Sequence, residues 1–287
     1  MNSVVNVPDS TTNAKDYCVS KAIPDGSNLY YATLFEKPEN KSRIIVFHAF
    51  LNELTEIIHE CSDPGVARIK LKWWQEEIER LSNHQCRHPV TRQLQESITI
   101  NDNLKSTFDS VIDFFNHFIF IEQADSLDTI LSLFKSTSGE VWYQCRKDIT
   151  EYEQSNLELQ RELGALVQYV VSLQQPYTYI NETRCIIPAS TIENNELQKL
   201  LVEKNGRQNK QKEIFSPLIL GLKSRLENVL SMFKEKPDGI HYDIIMTKLM
   251  LKTCDEILAD NCNILDRNIT LTPLRKLWIA WLTRTFN

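Results

Sequence analysis

The chain has 287 residues, of which 42% are hydrophobic and 24% are charged, and its formal net charge is -6. Because phosphate binding needs a basic surface, we do not expect an acidic chain of this kind to bind nucleic acid. Its apolar runs are far shorter than the roughly 20 residues of a membrane-spanning helix, which argues against an integral membrane protein. Gly and Pro are scarce, while Leu, Ile, Glu and Lys recur throughout, so the composition favours long helices and an all-α fold.

The amino-terminal stretch, residues 1–14, has neither the pattern of a secretory signal peptide nor the Arg-rich character of an organelle transit peptide. We predict a disordered arm there. One helical domain is predicted over residues 15–287, because no long linker or internal repeat divides them. The seven cysteines are odd in number and scattered without a C-x-x-C pair, which is typical of reduced thiols and predicts a cytoplasmic protein.

Helical periodicity dominates the chain. In the segment 41–61, apolar residues such as Phe47, Phe50 and Leu54 recur every three or four positions. A Pro-Gly break precedes the next helix, VARIKLKWWQEEIERL. The basic run KNGRQNKQK, residues 204–212, is interpreted as a solvated loop. Further helices are predicted over residues 90–97, 101–118, 126–134, 140–152, 157–175, 191–204, 213–234 and 240–259, and after Pro273.

Familiar catalytic motifs are absent from the sequence. We find no G-x-S-x-G elbow, no phosphate-binding loop of the G-x-x-x-x-G-K-[ST] type, no G-x-G-x-x-G and no H-E-x-x-H. Nucleotide-binding, hydrolase and zinc-protease functions therefore have no support. The apolar segment from Leu163 to Ile180 contains no carboxylate at all, which raises the question of whether it is a core helix or one wall of a former active site.

Several short stretches occur in a characteristic order. They are Asp16-Tyr17-Cys18, Asn28-Leu29-Tyr30, Arg43, HAFLNEL, Trp73-Trp74, His88-Pro89-Val90, Leu163-Gly164, Gln168 and the ending Arg184 to Pro188. In this order they resemble the squalene/phytoene synthase family, whose all-α enzymes join two prenyl diphosphates head to head. The resemblance implies one domain of the isoprenoid-synthase type. It also implies a central apolar cavity between the helices 41–61 and 157–175.

Members of that family carry two acid-rich motifs on facing helices, where carboxylates hold Mg²⁺ ions that neutralise a diphosphate leaving group. Aligned on Phe50 and Gln168, the motifs of this chain retain a single acid, Glu56. The resemblance thus implies a metal site whose ligands have been replaced. The motif-equivalent cavity positions are Thr55, Glu56 and His59 in the first motif, and Gln168, Val171, Gln175 and Tyr179 in the second.

A residual acid cluster, formed by Glu53, Glu56 and Glu60, remains on the first of these helices. The three glutamates are close enough to coordinate a cation, but the opposing wall offers no acid, so a solvated helix face is favoured. Removing one preorganised electrostatic contact commonly costs about 10² to 10³ in rate. Losing most ligands of a metal cage therefore predicts no catalytic residues, no metal and no cofactor.

The replaced acids resemble one branch of the family more closely, the branch of mitochondrial complex I assembly factor 6 and its bacterial relatives. Ala49-Phe50 followed by Glu53-Leu54, and Arg68 placed five residues before Trp73, carry this similarity, together with the closing LTPLRKLWIAWLTRT. The resemblance implies a non-catalytic assembly or scaffold factor with protein partners in a membrane respiratory complex.

Two alternatives stay open at this stage. One is a Mg²⁺-dependent prenyl-diphosphate transferase of isoprenoid biosynthesis, acting on farnesyl or geranylgeranyl diphosphate through the residual acid cluster. The other is a helical interaction protein unrelated to respiration. We also expect that the cavity can hold a prenyl or lipid ligand and that the protein can contact the inner face of a membrane peripherally. Trp278 and Trp281, at i and i+3 in the last helix, are candidates for a partner or membrane-surface contact, but core packing is expected for at least one of them.

Overall fold

The computed structural model describes residues 13–120, 123–147, 154–181, 184–203, 206–234 and 241–286. Within these ranges the chain is built of α-helices, with one five-residue π-helical turn and one two-residue antiparallel ladder that pairs Ile180 with Cys185. The predicted all-α fold is confirmed. The helices are α1 Ala14–Ala22, α2 Asn28–Ala32, α3 Pro38–Glu60, α4 Pro64–Ser82, α5 Pro89–Ser97, α6 Asp102–Phe118, α7 Leu127–Phe134, α8 Glu140–Arg146, α9 Gln154–Gln174, α10 Pro176–Tyr179, α11 Asn194–Val202, α12 Arg207–Lys234, α13 His241–Ala259 and α14 Pro273–Phe286; the strands are β1 Ile180–Asn181 and β2 Arg184–Cys185.

The central position in the fold belongs to α3. Every residue from Ile44 to Leu51 is buried, so this helix is apolar all round at its middle, as expected for a helix that is surrounded by others. Pro38 occupies its first turn, where a missing amide hydrogen costs nothing. α3 packs against α1, α5 and α8. Its surroundings therefore decide which of its polar residues reach solvent.

The wall opposite α3 is α9, which packs closely against the π-helical turn Lys135–Gly139 and against α8. Two glycines permit this approach. A Cβ atom on Gly139 would lie 2.5 Å from the Arg161 carbonyl oxygen, and one on Gly164 would lie 2.7 Å from the indole ring of Trp142. Gly164 thus lets the buried Trp142 ring lie directly against α9.

The start of the helical domain and the state of the cysteines can be compared with the predictions. α1 begins at Ala14, capped by the Asn13 side chain, one residue before the predicted start of the domain. The predicted arm falls almost entirely on residues 1–12, which lie outside the described residues, so it stays a prediction. All seven cysteines are free thiols, five of them buried.

The basic run KNGRQNKQK was interpreted as a solvated loop, and this is wrong from Arg207 onwards. α12 starts there, and Arg207 is buried, where it forms an ion pair with Asp266 and donates to the Leu201 carbonyl oxygen at 3.0 Å. Gln211 is also buried and donates to the Asn263 side chain at 2.9 Å. Partners in a distant loop satisfy these polar groups, and local charge patterning contains no information about them.

None of the helices in the described part of the chain is long and apolar enough to cross a bilayer.

A buried histidine makes the stability of the fold depend on pH. His48 lies inside α3, 3.1 Å from the Tyr242 hydroxyl, and burial lowers its pKa from 6.5 to about 3. The unfolded chain therefore binds a proton below pH 6.5 that the folded chain excludes, so the stability present above this pH is lost progressively on acidification. We expect the free energy of unfolding to fall by up to about 1.4 kcal/mol per pH unit between pH 6 and 4 from this group.

Urea denaturation at several pH values tests this expectation. A His48→Gln variant, which does not titrate, is expected to show a shallower dependence than the wild type in this range. His117→Gln, an exposed position on α6, is the matched control and should leave the slope unchanged. If the free energy of unfolding depended on pH equally in the wild type and in His48→Gln, the lowered pKa of His48 would be contradicted.

Candidate functional site

The two walls that correspond to the acid-rich motifs face each other in the structure. On α3, Thr55 and His59 are one helical turn apart and therefore share a face. Gln168 lies on α9, and Tyr179 ends the short helix α10 that follows it. Pro176 in the first turn of α10 redirects the chain after α9, and Tyr179 is thereby placed opposite α3.

A hydrogen bond joins the two walls at the positions of the last acid of each motif. The Nε2 atom of His59 lies 2.8 Å from the Tyr179 hydroxyl, and the two rings meet edge to face at 5.2 Å. His59 is exposed, whereas Tyr179 is buried. Where two carboxylates would face each other across a metal ion, this chain has an imidazole and a phenol in direct contact.

A small cavity lies between the two walls, beside this pair. Thr55, Gln168 and Tyr179 line a cavity of about 10 Å³ between α3, α6, the π-helical turn and α9, and a volume of this size holds at most one water molecule. The predicted cavity is thus present between the expected helices, but it is far smaller than a prenyl chain needs. The other residues that line it are Leu51, Ile58, Phe114, Phe115, Phe118, Phe134, Thr137 and Ser138.

Three of the motif-equivalent positions do not take part in this arrangement. Val171 is partly buried and packs against the hydrophobic core. Gln175 is exposed just after the end of α9, and its backbone N–H donates to the Ser172 carbonyl oxygen at 3.2 Å. Glu56, the one acid, lies on the side of α3 that faces α1, where it forms an ion pair with Lys21. Among the residues that the structure describes, no carboxylate lines the cavity.

The residual acid cluster is divided between different partners. Glu53 is 3.1 Å from the Lys21 ammonium group and accepts a hydrogen bond from the Tyr17 hydroxyl at 2.6 Å. Glu60 lies 3.9 Å from Lys70 and is exposed, as is Glu56. The solvated-face interpretation therefore describes Glu56 and Glu60. It is wrong for Glu53, which is largely buried.

The electrostatics of Glu53 follow from its surroundings. Burial raises the pKa of this carboxyl group, against the opposing effects of Tyr17 and Lys21. For Lys21, burial acts to lower the pKa, but the carboxylates of Glu56 and Glu53 outweigh it and raise the pKa above its usual value. The ammonium group of Lys21 thus remains charged and pairs with both of the acids that a cation would need.

Lys21 is the residue of this site that sequence reasoning missed. It lies on α1, four residues after Tyr17, so both side chains are on one helix face. That face packs against α3, which explains why Tyr17 and Lys21 reach the same carboxylate. The i, i+4 spacing was a usable signal, but nothing local indicates which helix the face meets.

These residues do not fit the Mg²⁺ ions that the enzymes of this fold use. Mg²⁺ prefers carboxylate oxygens, often together with substrate phosphates, whereas the facing positions here supply a hydroxyl, an amide, an imidazole and a phenol. The Thr55 hydroxyl already donates to the Leu51 carbonyl oxygen at 2.9 Å. Among the residues that the structure describes, no group of three or more His, Cys, Asp or Glu side chains is placed to hold a metal ion.

Comparison with known proteins agrees with this architecture. A family model described as squalene/phytoene synthase matches residues 24–275, which is most of the chain. The chain therefore belongs to the squalene/phytoene synthase family.

Two solved structures share the fold. A dehydrosqualene synthase in complex with ligand is 13% identical, with a TM-score of 0.75, and the alignment covers 95% of this chain and 96% of that one. The squalene synthase HpnC from Alicyclobacillus acidocaldarius is 11% identical, with a TM-score of 0.66, and the alignment covers 87% of this chain and 95% of that one. No curated protein sequence matches the chain significantly. At these identities the similarity to solved structures establishes the fold and not the activity.

Proposed function

We propose that this chain is a non-catalytic member of the squalene/phytoene synthase family that serves as an assembly or scaffold factor for a membrane respiratory complex of the complex I type. The observation that carries the non-catalytic part is the hydrogen bond between His59 and Tyr179. It places an imidazole and a phenol where two metal-binding acids would oppose each other, and the cavity that Tyr179 lines has a volume of only about 10 Å³. Head-to-head synthesis needs cations to neutralise the departing diphosphate, and this donor set does not attract them.

The enzyme alternative would have to use Glu53, Glu56 and Glu60. Lys21 already forms ion pairs with the first two of these, and Glu60 lies 3.9 Å from Lys70. A cation placed at this cluster would have to displace the ammonium group of Lys21, and the described residues offer it no opposing acidic wall. The non-catalytic function is therefore the better supported of the two.

The respiratory partner rests on the sequence similarity to the assembly-factor branch. Three of the residues near which this similarity was found can be located in the structure. Phe50 and Trp74 are buried and meet edge to face at 5.7 Å, and the Arg68 guanidinium lies over the Phe120 ring at 4.7 Å. These contacts support a folding role for Phe50 and Trp74. Arg68, on an exposed side of α4, is available to a partner, as are the exposed Trp278 and Trp281 of the closing segment.

The catalytic part of the proposal is tested with purified protein, Mg²⁺ and either farnesyl or geranylgeranyl diphosphate. We expect no release of inorganic diphosphate and no hydrocarbon product, whereas a dehydrosqualene synthase assayed in parallel should give both. Isothermal titration should show no Mg²⁺-dependent binding of the diphosphate. Turnover above background, or Mg²⁺-dependent binding that is lost in Glu56→Gln, would establish the enzyme alternative instead.

The partner is tested in the organism that encodes the chain. Deleting the gene is expected to lower the amount of assembled complex I on native gels, and both the wild type and Glu56→Gln should restore it, because no metal chemistry is involved. Unchanged complex I after deletion would reject the respiratory assignment. Restoration by the wild type but not by Glu56→Gln would reject the non-catalytic one.

A further inference from the structure

The last helix, α14, has its polarity reversed relative to an ordinary surface helix. The residues that it turns towards the protein are Lys276, Ala280 and Thr283, all of which are buried. Lys276 donates to the Gly26 carbonyl oxygen at 2.8 Å, and Thr283 accepts from Lys248 at 3.1 Å. Small and polar groups thus fill the inner face of α14, and its large apolar residues are left for the outer face.

The outer face is strongly apolar and exposed. Trp278 and Trp281 have 60% and 46% of their surface exposed, so the core packing expected for at least one of them is wrong; their rings lie 5.4 Å apart with an interplanar angle of 32°. Leu274 and Leu277 extend the same stripe, and both are exposed. Large apolar residues at positions i, i+3, i+4 and i+7 on a solvent-facing helix form a contiguous patch, and such patches mark interaction surfaces.

Together with Phe35 from the segment after α2, this stripe forms an open groove with a volume of about 700 Å³. We call it the α14 groove. Its only charged lining residues are cations, Lys252 from α13 and Arg275 from α14. The groove is therefore apolar in its floor and basic at its rim.

In each ion pair at the rim, the basic side chain is more exposed to solvent than the acidic one. Lys252 pairs with Asp255, and 54% of the lysine side chain is exposed against 31% of the aspartate. Arg275 pairs with Glu256, and the corresponding values are 48% and 35%. From Arg267 to Phe286 the sequence contains four basic residues and no acid, although the chain as a whole is acidic. The charge at the groove is thus complementary to an anionic partner.

We propose that the α14 groove is a membrane-docking surface, at which Trp278, Trp281 and Leu277 enter the interfacial layer of an anionic phospholipid bilayer while Lys252 and Arg275 contact headgroup phosphates. Tryptophan is suited to this layer because one edge of its ring is apolar and its N–H can remain hydrated. Basic residues beside an apolar stripe add attraction to anionic lipids. The inference concerns a surface remote from the His59–Tyr179 pair and does not depend on the proposed function.

A second copy of the chain is a poorer occupant. A two-fold dimer through this face would use the same patch on both subunits, which would bring the cations of the two rims into the same interface. Like charges opposed across an interface are unfavourable. A bilayer with anionic headgroups offers the opposite charge over the whole rim, together with an apolar layer beneath it.

Vesicle flotation with the full chain tests the proposal. The wild type is expected to float with vesicles of phosphatidylcholine and phosphatidylglycerol, and to float weakly with phosphatidylcholine alone. A Trp278→Ser/Trp281→Ser variant should bind the anionic vesicles about tenfold more weakly or worse, and Lys252→Gln/Arg275→Gln about fivefold for each charge removed. Leu220→Ser, at an exposed apolar position on α12, is the matched control and should bind like the wild type.

Brominated phospholipids add a direct readout. Because Trp74 and Trp142 are buried and Trp73 is partly buried, quenching of tryptophan fluorescence by brominated vesicles should come mainly from Trp278 and Trp281 and should fall strongly in their double variant. Circular dichroism should be unchanged in every variant, since all the substituted side chains are exposed. Absence of flotation by the wild type, or equal flotation of wild type and the tryptophan variant, would overturn the proposal. So would a dimer in sedimentation equilibrium that the tryptophan variant abolishes.

Discussion

Replacing Arg146 by methionine is expected to lower the free energy of unfolding by about 3–5 kcal/mol, because it removes a buried cation that pairs with two buried carboxylates. Arg146 is fully buried at the end of α8. Its guanidinium lies 3.4 Å from Glu36 and 3.6 Å from Asp243, both of which are also buried. It also lies over the ring of Tyr242 at 4.9 Å. The group links α8, the segment after α2 and α13, so its loss affects three parts of the fold together.

Urea denaturation of Arg146→Met measures this loss. The control is Arg225→Met, which breaks an exposed ion pair with Asp128 and should cost at most about 1 kcal/mol. Adding Glu36→Gln and Asp243→Asn to Arg146→Met removes the uncompensated negative charge and should recover part of the stability. Equal losses for the two arginine variants would show that the buried cluster does not contribute as proposed.

Replacing Glu77 by alanine is expected to have a comparable effect, a loss of about 3–5 kcal/mol, because four donors lose their acceptor. Glu77 is buried on α4. One carboxylate oxygen accepts from the backbone amides of Arg87 and His88 at 2.7 and 2.8 Å and from the Thr91 hydroxyl at 2.5 Å, and the other accepts from Arg80 at 2.7 Å. The carboxylate therefore anchors the start of α5 to α4, at a helix end where negative charge is favourable.

The same contacts predict how this stability depends on pH. Burial acts to raise the pKa of Glu77, but the hydrogen bonds from His88, Thr91, Arg80 and Arg87 outweigh it and hold the pKa below its ordinary value of 4.5. A carboxyl group with a depressed pKa contributes stability that is present above about pH 4.5 and is lost as the pH falls through the folded value. Glu77→Gln should therefore be less stable than the wild type at neutral pH. Its free energy of unfolding should also fall less steeply than that of the wild type as the solution is acidified.

Denaturation curves of Glu77→Ala, Glu77→Gln and Glu76→Ala measure these differences. Glu76 is the neighbouring, exposed glutamate, which lies 3.7 Å from Arg80, and its removal should change stability little. We expect the alanine variant at position 77 to be the least stable and the glutamine variant to be intermediate. A Glu76→Ala variant as unstable as Glu77→Ala would place the effect in α4 itself rather than in the buried hydrogen bonds.

The candidate site could be predicted only in part from the sequence. The positions that replace the metal-binding acids were identifiable from sequence, because the motif spacing places them on one face of each helix. Which of them meet was not identifiable. Thr55, His59, Gln168 and Tyr179 come together, whereas Val171 packs in the core and Gln175 points to solvent. The difference arises because Pro176 ends the regular helix before Tyr179, so that the spacing of the motif no longer sets the direction of its last residue.

The sequence also did not allow us to predict which charged residues are buried. Glu53 and Arg207 were both interpreted as solvated because charged residues are usually exposed, and both are largely buried with partners from distant segments. Glu77 lies in the same run of glutamates as the exposed Glu76. Such a run indicates which face of a helix is polar, but not which carboxylate finds donors on another element.

The sequence by itself determined the helical class, most helix positions, the family frame and the absence of acids at the second motif, since all of these depend on residue identity and short-range periodicity. The tertiary structure decided the rest. His59 meets Tyr179 across 120 positions, Arg146 meets Glu36 across 110, and Lys21 reaches Glu53 from another helix. Contacts at such separations depend on how whole helices pack, and the pattern along one helix specifies the face that is buried but not the partner that covers it.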